Sequence, residues 1–104
     1  MLIAIVEKGK TMKLFKTVDE KLAEIGLVKV KEDEYGASYE RETRFGYTQC
    51  VDLVCKASGR HLIQSYEKGV NQDGFNNCVG LSMYEARLCR KKMKRMGWKE
   101  KKCQ

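Results

Sequence analysis

The spacing of apolar positions changes from a helical to a strand period and back along the chain. Val18, Leu22 and Ile25 recur at i, i+4 and i+7, one apolar face of a helix. In front of them, Thr17-Val18-Asp19-Glu20 is a capping box: the Thr17 hydroxyl can accept from the Glu20 amide while the Glu20 side chain reaches back. Gly26 ends the helix, with Leu27 placed to pack on Leu22 in a Schellman ending. The period then drops to two. Residues 27–31 predict a strand with Val28 and Val30 on its buried face and Lys29 and Lys31 outside. Residues 32–36 form a turn, and residues 37–43 set Ala37, Tyr39 and Arg41 against Ser38, Glu40 and Glu42. Arg44-Phe45-Gly46 turns into a central hairpin of residues 47–55 and 60–66, rich in β-branched and aromatic side chains and joined by Lys56-Ala57-Ser58-Gly59. A three-residue loop with Gly59 left-handed puts Leu53 opposite Ile63, whereas a four-residue loop puts it opposite Leu62.

Residues 67–80 are polar and glycine-containing, a long loop that Phe75 and Val79 would pin down. Ser82-Met83-Tyr84-Glu85 then repeats the capping box, and Gly97 followed by Trp98 repeats the helix ending. Between them Ala86, Cys89, Met93 and Met96 form an apolar stripe, and Arg87, Arg90, Lys91, Lys92, Lys94 and Arg95 take the remaining surface. The order α-β-β-β-β-α with short connections predicts an α+β fold: one antiparallel meander sheet with both helices packed on one face. Residues 1–11 read as an edge strand, or as a dispensable extension if translation starts at Met12, and residues 99–104 as a frayed basic tail.

A chain of 104 residues is one domain by size. Charge changes the picture more than length does. Residues 1–81 hold twelve basic and twelve acidic side chains, and residues 82–104 nine and two, so the whole net charge of +7 sits in the last stretch. Five cysteines without a C-x-x-C pair or an export signal predict reduced thiols and a cytoplasmic protein. The apolar opening from Leu2 to Val6 is too short for a signal sequence or a bilayer span, so no membrane role is expected.

Candidate chemistry is sparse. Cys50, Cys55 and His61 can be read as a metal site, although zinc wants four ligands and no close-spaced pair is present. They can equally be read as a Cys–His nucleophile pair without a recognisable oxyanion hole, or simply as buried thiols and a locally bonded histidine. Glu32-Asp33-Glu34 and the Glu40/Glu42 pair fit solvated charge, and no glycine loop has phosphate-binding spacing. No catalytic residue, metal or cofactor is therefore assigned, and a non-enzymatic protein is expected. The feature that stands out is the basic second helix. Arg87, Arg90, Lys91, Lys94 and Arg95 are candidates for contact with a nucleic acid, a nucleoprotein complex or an acidic protein, with sheet tyrosines Tyr39, Tyr47 and Tyr66 as stacking or interface residues. The competing reading is that these cations solvate an outer helix.

The element order, with its basic last helix, resembles the double-stranded-RNA-binding domain, from which it departs by an extra strand and by carrying Lys91, Lys92 and Lys94 near the end of that helix rather than at its start. Stretches such as Met12-Lys13-Leu14-Phe15-Lys16-Thr17-Val18-Asp19-Glu20-Lys21, Tyr35-Gly36-Ala37, Lys56-Ala57-Ser58-Gly59-Arg60-His61 and Lys91-Lys92-Met93-Lys94 look like small uncharacterised proteins of phages and mobile elements of Gram-positive bacteria. That resemblance implies an accessory or host-interaction role, such as inhibition of a defence system of the CRISPR kind, and assigns no site residues.

Overall fold

The computed structural model describes residues 6–7, 10–11, 16–43, 46–68 and 77–99. At its start β1 (Val6–Glu7) pairs antiparallel with β2 (Lys10–Thr11) in a two-stranded sheet of their own, so Val6–Glu7 is not an edge of the main sheet. Met12 and the residues after it up to Phe15 lie outside the described residues.

Both capping boxes form. The Thr17 hydroxyl accepts from the Glu20 amide at 3.1 Å and the Glu20 carboxylate from the Thr17 amide at 3.3 Å, which opens α1 (Val18–Glu24). Next in the chain come β3 (Val28–Asp33), β4 (Gly36–Glu42), β5 (Thr48–Val54), β6 (Leu62–Lys68) and β7 (Asn77–Cys78), one antiparallel sheet in that order. Ser82 and Glu85 repeat the capping pair at 3.1 and 2.8 Å and open α2 (Met83–Arg95). Each helix closes on a left-handed glycine, Gly26 at φ 93° and Gly97 at φ 84°. The amide that follows bonds the carbonyl five residues back, Leu27 to Leu22 at 2.9 Å and Trp98 to Met93 at 3.2 Å.

The meander is thus four strands extended by a short fifth. β6 runs on to Lys68, and Asn77–Cys78 pairs with it opposite Glu67 and Tyr66, so strand occupies both ends of the stretch expected to be loop. Residues 69–76, including Phe75, lie outside the described residues. Val79 is held through its amide, which donates to the Ser65 carbonyl at 3.0 Å. In the central hairpin Leu53 stands opposite Ile63 and Gly59 takes φ 85°, the register of the shorter loop.

Both helices cover one face of the sheet. Val18, Leu22 and Leu27 from the α1 side, Ala37, Tyr39, Val51 and Leu53 from β4 and β5, and Leu88 and Cys89 from α2 form the buried cluster, with Ile63, Met93, Met96 and Trp98 packed around it. Strands β4 and β5 approach closely at one end: a Cβ on Gly36 would lie 2.4 Å from the Leu53 carbonyl oxygen, so only glycine fits there.

Two features of the packing correct the sequence pattern. In β3 the expected alternation is broken: Lys31, opposite Ser38, stays outside as expected, but neither valine turns inward. Val28 pairs with Glu40 on the face away from the helices and Val30 lies in a bulge between Lys29 and Lys31, and the two are 55% and 54% exposed. Lys29 takes the helix side, opposite Tyr39, where its ammonium meets Asp19 and Glu32 at 3.0 Å each. On α2 the buried stripe is centred on Leu88, Cys89 and Lys92, with Ala86 only half-buried, because the helix face toward the sheet includes a charged position.

Candidate nucleic-acid interface

The six basic residues of α2 divide into two groups. At about 100° per residue, Arg87, Arg90, Lys91, Lys94 and Arg95 fall within an arc of about 140° that leaves out Leu88, Cys89 and Lys92. All five are exposed, and among the described residues none of them forms an ion pair. Lys92 is turned inward. Its ammonium lies 2.7 Å from Glu32 Oε1 and 3.2 Å from Asp19 Oδ2, with only 11% of its side chain exposed. The sequence pattern placed Lys92 on the surface; an ion cluster of α1 and β3 carboxylates with Lys29 and Lys92 makes its burial tolerable.

Tyr39 belongs to the same cluster, which corrects its reading as a stacking residue. It is fully buried, and its hydroxyl donates to Asp19 Oδ1 at 2.6 Å. Burial first, and then that bond, push the phenol far above its ordinary titration range. For Asp19, burial works upward, but the bonds from Tyr39, Lys29 and Lys92 outweigh it and hold the carboxyl below its ordinary range. Glu32 is held low by the bond from Lys92 and then that from Lys29. A second, half-buried contact ties α2 to the sheet: Arg41 reaches Glu85 at 2.8 Å, donates to Gln49 Oε1 at 2.7 Å and to the Ile25 carbonyl at 3.0 Å.

Tyr66 lies on the other face of the sheet, opposite Cys50, and donates its hydroxyl to Asp52 Oδ2 at 2.8 Å. The structure therefore does not bring Tyr66 to the basic face of α2. Tyr47, just before β5, is 41% exposed.

Where the chain turns from the hairpin, a pocket of about 400 Å³ opens between β6 and the C-terminal half of α2, lined by His61, Ile63, Met93 and Trp98 with Arg90 and Lys94. The α2 Schellman ending sets Trp98 here, and its ring centroid lies 5.1 Å from that of His61 with the planes tilted by 43°. His61 is fixed at both nitrogens. Nδ1 accepts from the Lys56 amide at 3.0 Å, and Nε2 lies 2.9 Å from the Lys99 carbonyl, which can only accept, so the proton sits on Nε2. No protein-family profile, curated protein or solved structure matches this chain.

That geometry bears on the thiol and histidine chemistry. With both ring nitrogens engaged, His61 has none left for a metal or a thiol. Cys50 is buried on the far face, and burial together with Glu40 raises its thiol; burial pushes Cys89 to about 11. Cys50, Cys55, Cys78 and Cys89 are free thiols. Among the described residues no group of three His, Cys, Asp or Glu side chains could hold a metal ion, and no helix is long and apolar enough to cross a membrane.

Sequence reasoning missed the pocket. Trp98 was visible only as a helix-ending residue and His61 only as possible chemistry. The usable signal was the placement of Arg90, Met93 and Lys94 at i, i+3 and i+4, which puts two cations and an apolar side chain on one flank of the helix.

Proposed function

We propose that this protein is a non-enzymatic binding protein that engages the phosphate backbone of nucleic acid, free or within a nucleoprotein complex, through the exposed face of α2. One observation carries the reading: five cations share an arc and are left unpaired among the described residues, while the sixth, Lys92, is neutralised inside the fold. A row of that kind raises the local concentration of a polyanion and releases its counterions on contact. The helix is capped at both ends and held to the sheet through Arg41–Glu85 and through Lys92, so the cations are presented on a rigid support.

The test is the salt dependence of binding to a short labelled duplex and the matching single strand, read by fluorescence anisotropy. Affinity should fall steeply with salt. The triple variant Arg87→Gln/Lys91→Gln/Arg95→Gln keeps helix propensity, so it should melt like wild type while the log–log slope on duplex DNA drops by about 0.9 per lost phosphate contact. Absence of binding to either probe at low salt would sink the proposal, as would an unchanged slope in the triple variant.

A further inference from the structure

The pocket beside the basic face has the wrong character for a backbone-only contact. Trp98, His61, Met93 and Ile63 give it an apolar and aromatic wall, and Arg90 and Lys94 supply positive charge at the same opening. Its volume of about 400 Å³ falls within the roughly 300–1,000 Å³ of small-ligand sites. A paired base in a duplex keeps both its faces stacked and cannot offer one to Trp98; an unpaired base can, with its own phosphates on the adjacent cations. Resting on the proposed function, we infer that this pocket receives one unpaired nucleobase, with the flanking phosphates on Arg90 and Lys94, and that the protein prefers single-stranded nucleic acid over duplex. The occupant follows from the pairing of an aromatic wall with cations that have no carboxylate partner among the described residues. Neither feature alone selects it: phosphate contacts by themselves are indifferent to strandedness, and an apolar wall by itself is indifferent to charge.

The chain has a single tryptophan, so its intrinsic fluorescence reports on the pocket without a label or a substitution. Oligothymidylate should quench Trp98 on titration, while an abasic oligomer of the same length, which keeps the phosphates and lacks the bases, should leave the emission unchanged and bind about fivefold or more weakly. A duplex should also bind more weakly than the single strand at equal salt. Equal affinity for the abasic and thymidylate oligomers, or binding of thymidylate without any change in Trp98 emission, would overturn the pocket inference and leave backbone binding by α2 standing. Failure of all three probes to bind at low salt would remove the proposed function together with it.

Discussion

Lys92→Met removes the inward-facing ammonium while keeping side-chain length and helix propensity, so it isolates the charge. Taking one partner from a buried ion pair costs about 3–5 kcal/mol. Two features lower that figure here. Lys29 remains 3.0 Å from both carboxylates. The Asp19 and Glu32 side chains also keep 28% and 34% exposure, so water screens what is left unpaired. The expected loss at neutral pH is about 1–3 kcal/mol, with Tm falling by roughly 4–8 °C for each kcal/mol. The pH dependence adds an independent check. Asp19 and Glu32 titrate below their ordinary range in the folded protein, so their contribution is present above about pH 4 and is lost as the pH falls through the lowered values. Wild type should therefore lose stability on acidification, the variant should lose less, and the gap between them should narrow as the pH falls below about 4. Urea unfolding followed by circular dichroism at neutral and acidic pH measures both. An unchanged midpoint at neutral pH, or a deficit of the same size at both pH values, would refute the assignment of Lys92 to an internal ion cluster.

Two further stability predictions use the same assay. Gly36→Ala should cost about 1–3 kcal/mol, because the new methyl meets the Leu53 carbonyl, whereas Gly80→Ala, with open space around it, should change little. Leu53→Ala should cost about 2–5 kcal/mol as a large-to-small change in the core, while Val30→Ala, at a half-exposed bulge, should stay within about 0.5 kcal/mol; a large loss for Val30 would put that side chain back on the buried face.

The boundaries of the helices were legible because they depend on local chemistry. Thr17 with Glu20, Ser82 with Glu85, and the glycines at 26 and 97 satisfy backbone groups within a few residues of themselves, so the signal is complete in the sequence. The meander from β3 to β6 was legible for a similar reason, since those strands follow one another over short connections. The face of β3 was not. Its valines obey the period of a half-buried strand, but the bulge at Val30 and the attraction of Lys29 to Asp19 and Glu32 decide which side turns inward, and those partners come from another element. Lys92 and Tyr39 were missed on the same account: a cation 73 positions from its carboxylate and a tyrosine 20 positions from its acceptor carry no local mark. Of the candidate site, the five outward cations were readable from helical spacing alone. The pocket was not, because it exists only when the start of β6 comes alongside the end of α2.

The sheet ends on β3 and β7, and β7 covers only Tyr66 and Glu67 of β6. β7 is two residues long. β3 is longer, but it carries Lys29, Lys31, Glu32 and Asp33 and is broken by a bulge, two devices that discourage a foreign strand from hydrogen-bonding along an edge. A strand approaching β3 thus finds little continuous backbone to add to. Under the proposed function, recognition at that edge falls to side chains, which can change one at a time without disturbing the hydrogen-bond ladder beneath.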